Sequence, residues 1–298
     1  MRCGQERRNG GREAGKREKR EGKREEKREV VEEDRGGKGG KGWRMRMKEI
    51  EIRELKRVKL NAPVMIEGLP GVGNVGKLVV EHMIEELHAE KIIEIYSWHF
   101  PPQVFVKDDG TVRLCRNEIY AWSSPKLDLL ILTGDQQSIT NEGHYILTEK
   151  YLDIAEKFGV SRIFTLGGYG IGHLVEEQRV IGAANSPELV EEMRRFGVEF
   201  MEEEPGGSIV GASGLLLGLG KMRGIPAVCL LGVTSGYLVD PKSAQAVLRV
   251  LCKILGLEMD MHALEERAKE MERVVERLKK MEQAQAPMRA GEELEYIR

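Results

Sequence analysis

Gly68-Leu69-Pro70-Gly71-Val72-Gly73-Asn74-Val75-Gly76-Lys77 follows the short apolar run Val64–Glu67. It precedes a stretch in which Val75, Leu78, Val79, Met83 and Leu87 recur at helical spacing. A strand, a glycine-rich turn and a helix beginning near Asn74 are therefore expected here. Two phosphate-binding patterns overlap in the turn. Gly71, Gly73 and Gly76 fit G-x-G-x-x-G, and Gly71 through Lys77 fit G-x-x-x-x-G-K. In both, glycines let the backbone turn tightly and the free N–H groups at a helix start attract phosphate. The neighbouring residues weaken each reading. Leu78 stands where Ser or Thr would hold Mg²⁺. Glu94 lies near the spacing of a ribose-binding acid, but inside the predicted strand Ile92–Tyr96 rather than at its end, and Pro70 stiffens the turn.

Outward from this turn, apolar strands and helical periodicities alternate. Val104–Val106 and Val112–Leu114 flank Asp108-Asp109-Gly110, a hairpin signal. Leu129–Leu132 is a continuous apolar run, as in a buried parallel strand. A helix over 142–158 closes at Gly159, and Arg162–Leu166, Val180–Ala184 and Pro226–Val233 read as further strands. Ser186-Pro187-Glu188 and Asp240-Pro241 each supply an N-cap and a first-turn proline; the helices they open end at Gly197 and Gly256. Another helix is predicted over 213–222. This alternation predicts an α/β domain of three layers with a largely parallel, mixed sheet, over residues 47–256.

The ends of the chain differ in kind. Residues 4–42 are almost entirely Arg, Lys, Glu and Gly. Such composition cannot bury enough surface to offset its ordering entropy, so residues 1–46 read as disordered or as a mis-annotated leader ahead of a start at Met45 or Met47. Over 257–285, Met261, Leu264, Ala268, Met271, Val275 and Leu278 step by three and four, the a/d spacing of a heptad helix. The narrow stripe favours self-association; a helix lying on its own domain would show a similar one. Residues 286–298 read as a flexible tail.

The chain has 298 residues, 41% hydrophobic and 32% charged, with a net charge of −2. It can bury a sizeable core and carries no excess charge that would draw it to nucleic acid or membrane. No apolar run reaches the roughly 20 residues of a membrane span, and a cytoplasmic location is expected. Cys3, Cys115, Cys229 and Cys252 lack metal-ligand spacing, and the six histidines form no H-x-x-x-H pattern. No metal and no cofactor are expected. Ser213, in Gly211-Ala-Ser-Gly214, misses the nucleophile-elbow spacing by one residue, and its small neighbours suit close helix packing. The loops Gly134–Gln137 and Gly167–Gly170 follow predicted buried strands, where α/β folds usually place ligands. Gly71, Gly73, Gly76, Asp135, Gln136, Gly168 and Tyr169 are thus a candidate pocket, with His173 and Glu176 just beyond. No complete acid–base set emerges from it.

Gly68–Gly76, His99-Phe-Pro-Pro102, Gly134–Gln137, Thr165–Gly170, Gly206–Gly218 and Thr234–Ala244 together resemble the archaeal branch of the proteasome assembly chaperone family. The resemblance spans roughly 50–256. It implies a phosphorylase-like fold, no established catalysis, and homo-oligomers, possibly tetramers, that assemble or activate the 20S proteasome. It also implies a C-terminal tail, ending hydrophobic–Tyr–any residue, that enters a pocket of the proteasome α-ring. Here Leu294, Tyr296, Ile297 and Arg298 occupy that end, with tyrosine third from the terminus and Glu295 before it. The expectation is a non-enzymatic proteasome-binding factor; the alternative is a nucleotide- or nucleoside-binding enzyme using 68–77.

Overall fold

The computed structural model describes residues 48–271, apart from Glu176 and residues 201–206, together with Arg273. Residues 1–46, Val275, Leu278 and the tail residues Leu294, Tyr296, Ile297 and Arg298 lie outside the described residues.

Ten strands and six helices alternate along the described chain. β1 (Ile50–Glu54) and β2 (Val64–Glu67) lead to a 3-10 turn (Val72–Asn74) and α1 (Val75–Glu86). β3 (Glu90–Ser97), β4 (Val104–Val106), β5 (Val112–Leu114), β6 (Asn117–Ser123) and β7 (Asp128–Gly134) follow, then α2 (Asn141–Lys157). β8 (Arg162–Gly170), β9 (Val180–Ala184), α3 (Pro187–Arg194), α4 (Ala212–Met222), β10 (Ala227–Thr234) and α5 (Pro241–Leu255) complete the domain, and α6 begins at residue 262. The main sheet runs β1-β3-β6-β7-β2-β8-β10-β9. Its centre, β7-β2-β8-β10, is parallel; β1, β3 and β6 on one flank and β9 on the other pair antiparallel. The parallel character read from the apolar runs is thus a property of the four central strands, which helices cover on both faces.

Side-chain alternation along those strands divides the core in two. Met65, Leu130, Leu132, Ile163 and Cys229 face α2 and α4, meeting Leu147, Tyr151, Leu152 and Leu216. Ile66, Leu129, Ile131, Phe164 and Leu230 face α1, α3 and α5, meeting Val79, Met83, Leu189, Met193 and Leu248. Each such side chain contributes about 1.5–3 kcal/mol by leaving water. The helix ends follow local chemistry. Thr140 caps α2 by accepting the Gly143 N–H at 3.0 Å. Asp240 caps α5 through the Ser243 N–H at 3.0 Å with Pro241 behind it, and Gly256 (φ +65°) ends that helix in the left-handed region. Two strands carried no clear apolar signature. β6 alternates buried Asn117, Ile119 and Ala121 with Glu118, Tyr120 and Trp122, and β1 is a flank strand rich in charge.

The helix after Gly256 begins on the domain itself. Leu264 is fully buried within the core beneath α1 and α5, Ala268 is 7% exposed, and Met261 packs beside them. The His82 ring donates to the Asp260 carbonyl at 2.6 Å, and Arg249 lies 3.6 Å from Glu265. For Met261, Leu264 and Ala268 the stripe is therefore satisfied within one chain, because α1 and α5 leave an apolar groove that those side chains fill. The expected seam between copies loses these positions; Met271 is half-buried.

Leu264→Ala is expected to cost about 2–5 kcal/mol in denaturant unfolding, as a cavity in a core does. The loss should not vary with protein concentration, whereas a seam between copies would make it do so.

Candidate functional site

The candidate pocket residues converge at the C-terminal ends of β2, β7 and β8, but protein backbone fills the space among them. The Gly76 Cα lies so close to β8 that an added Cβ would stand 2.1 Å from the Leu166 carbonyl oxygen. A Cβ on Gly168 would stand 2.3 Å from the Val72 carbonyl oxygen. Gly73 holds φ +62° and its carbonyl accepts the Asp240 N–H at 2.9 Å. Gly76 and Gly168 thus serve close packing of turn against strand, whereas Gly71 has room for a Cβ. Lys77 donates to the Gly134 carbonyl at 2.7 Å and pairs with Glu81 at 3.1 Å, so its ammonium is occupied within the fold. Leu78 is a core residue. Glu94, the ribose-acid candidate, is buried in the sheet among Tyr96, Lys91 and Arg116.

The β7 loop behaves in the same way. Asp135 forms a two-pronged ion pair with Arg113, whose second contact is 2.8 Å, and accepts the Arg116 N–H at 3.1 Å. Burial works to raise its pKa, but Arg113 and that N–H outweigh burial and hold the carboxyl below the usual range. Asp135 therefore fastens the β4–β5 hairpin to the domain. Gln136 offers its carbonyl to the Asn117 side-chain amide, whose oxygen accepts the Tyr151 hydroxyl at 2.7 Å. Tyr169 is half-buried and Gly71 is exposed at the rim. A void of about 10 Å³ lies among Leu69, Gln137, His144, Tyr151 and Ala212. That is at the lower limit for one water molecule. His173 lies on the rim, and Glu176 falls outside the described residues. No group of three His, Cys, Asp or Glu among the described residues is placed to hold a metal, and no helix among them is long and apolar enough to cross a membrane.

Two residues with structural weight here were not singled out as a pair by the sequence. Gln137 donates to the Pro70 carbonyl at 2.8 Å and accepts the Ala212 N–H at 3.1 Å, joining the glycine turn to the start of α4. Glu67 is completely buried at the end of β2. It accepts the Leu69 N–H at 2.9 Å and the Ser213 hydroxyl at 2.8 Å. Burial raises its pKa to about 7, and those two donors oppose the rise. A single acid closing an apolar strand just before a glycine was the available signal. Ser213 thus holds Glu67 rather than acting as a nucleophile, and α4 packs closely through the small residues around it.

The whole assembly has known counterparts. The family model described as PAC2 matches residues 65–279. The chain belongs to the PAC2 family. An uncharacterized protein of Methanocaldococcus jannaschii is 42% identical over 259 residues, covering 85% of this chain and 99% of the relative. Among solved structures, Pyrococcus furiosus PbaB, an archaeal proteasome activator, is 45% identical with a TM-score of 0.75, covering 78% of this chain and 100% of PbaB. Pyrococcus furiosus PbaA, an archaeal homolog of proteasome-assembly chaperone, is 26% identical with a TM-score of 0.66, covering 84% and 100%. The resemblance drawn from the glycine turn and the loops that meet it is upheld by this PAC2 membership.

Gly76→Ala is expected to destabilise the domain by about 1–3 kcal/mol or more, because backbone must shift at Leu166; thermal melting measures it. Glu67 binds its proton more tightly in the folded chain, so the stability it gives is complete below its ordinary pKa of 4.5 and is lost as pH rises through about 7. Glu67→Gln should therefore gain about 3 kcal/mol over wild type between pH 4 and pH 8 in urea titrations.

Proposed function

We propose that this PAC2 protein is a proteasome-binding factor that acts without catalysis of its own, through several C-terminal tails offered to the 20S α-ring by a homo-oligomer. The observation that carries the reading is the 45% identity to an archaeal proteasome activator whose whole length this chain covers. The packed state of the candidate pocket agrees with it, because the side chains of Asp135, Lys77, Glu94 and Gln137 are engaged in holding loops together.

The tail would act as a short recognition peptide: Tyr296 as the aromatic anchor, Leu294 and Ile297 as apolar neighbours, and Arg298 contributing the terminal carboxylate. One such peptide binds weakly. Several on one particle gain avidity whenever the geometry allows them to engage together. α6 leaves the domain from a fixed point set by Leu264 and by the His82–Asp260 bond, which gives each tail a defined origin. Met271, Val275 and Leu278 are the heptad positions that would form the seam between copies.

Deleting Glu292–Arg298, or Tyr296→Ala alone, is expected to abolish co-sedimentation with 20S proteasomes and leave the melting temperature unchanged. Undiminished co-sedimentation of the deletion variant would remove the tail from the binding mode.

A further inference from the structure

The β4–β5 hairpin stands apart from the main sheet as a two-stranded sheet of its own. Its register pairs Val104 with Leu114, Phe105 with Arg113 and Val106 with Val112. Since successive side chains alternate across a strand, Val104, Val106, Val112 and Leu114 share one face. That face is bare: the four are 50%, 72%, 60% and 49% exposed. The opposite face is fixed. Phe105 packs against the core, the Arg113 guanidinium lies 4.4 Å over its ring, and Arg113 grips Asp135. An isolated two-stranded hairpin is marginal in water; this one is held rigidly from beneath, with an all-aliphatic surface outward.

Trp98 and Ile139, also largely bare, lie on the adjoining loops, which are joined by the Ile139 N–H donated to the His99 carbonyl at 2.9 Å. These two and the four hairpin side chains are each about half exposed or more, and exposed apolar groups gathered in this way mark interaction surfaces. The hairpin tip carries both signs. Lys107 and Asp108 are adjacent and make no ion pair among the described residues, whereas Asp109 is taken by the Thr111 hydroxyl and N–H.

We propose that this hairpin face is the contact between two copies of the chain, related by a two-fold axis running along the hairpin. The chemistry selects a second copy over a foreign partner. An aliphatic face that carries no charge of its own can pair with its own copy, and such an axis would set the exposed Lys107 of each copy beside the exposed Asp108 of the other. The inference rests on the oligomeric part of the function proposed above, and it supplies a surface for that oligomer, since Leu264 and Ala268 are already buried within one chain.

The experiment uses the full chain. Light scattering after size exclusion compares wild type with the double variant Val106→Asp/Val112→Asp, and circular dichroism checks that the fold persists. The mass is expected to fall about two-fold or more. Val112→Cys in a Cys3→Ser background, where the remaining cysteines are buried, should form disulfide-linked dimers on mild oxidation; this arm holds even if the aspartates unfold the hairpin. A crosslinking yield no higher than that of Lys59→Cys on a different surface overturns the proposal. So does an unchanged mass of a folded double variant, including the case in which that variant loses only proteasome co-sedimentation. A monomeric wild type overturns the oligomeric reading as well, whereas an oligomer untouched by the aspartates overturns only this surface.

Discussion

Backbone meets backbone at the centre of this molecule. α1 lies against β8 because residue 76 has no side chain, and the Leu166 carbonyl occupies the space a Cβ would need. That approach fixes where the turn before α1 must run, and other contacts then depend on the turn. The Asp240 N–H binds the Gly73 carbonyl, Gln137 binds the Pro70 carbonyl, and Lys77 reaches the Gly134 carbonyl. The β10, β7 and α4 loops are thereby referred to one short segment. Glu67 sits beneath it, removed from water, and that burial holds its proton firmly even though the Leu69 N–H and the Ser213 hydroxyl favour the charged form.

The same glycines that suggest a phosphate cradle are those that close the space a phosphate would need. In nucleotide folds glycine admits the ligand to the backbone; here it admits neighbouring strand and turn. Spacing alone cannot distinguish the two, because both require the absence of a Cβ. What separates the two readings in the sequence lies elsewhere, at Leu78, which the fold buries in the core, and at Glu94, which lies inside β3 rather than at its end. The central strands and the capped helices were legible for a simple reason: their apolar runs, Asp240-Pro241 and Gly256 act locally. β1 and β6 were not, since their half-buried faces carry charged and polar groups that hide the apolar alternation: Glu51 pairs with Arg53, and Glu118 pairs with Arg116 and with Lys91 on β3 and accepts the Tyr120 hydroxyl. Asp135 was located correctly at a strand end but faces Arg113, a partner that no local pattern indicates.

The stripe after Gly256 illustrates a related ambiguity. Heptad spacing states that one side of a helix avoids water and leaves open what covers it. α1 and α5 cover its beginning, as the burial of Leu264 and Ala268 records. The hairpin presents the converse case: its alternating valines would suit a sheet packed on a core, yet they face outward while Phe105 and Arg113 hold the inner side.

The docking of α6 also has a mechanical consequence. Among the described residues, α6 is held to the domain by Leu264 in its groove, the His82–Asp260 bond and the Arg249–Glu265 pair. Tension applied to α6 would enter the body at α1 and α5 together, through the side chains packed around Leu264. The first of those helices begins with the turn that seats on Leu166, so a pull on α6 would be passed to the strand-to-helix turn at the centre of the sheet.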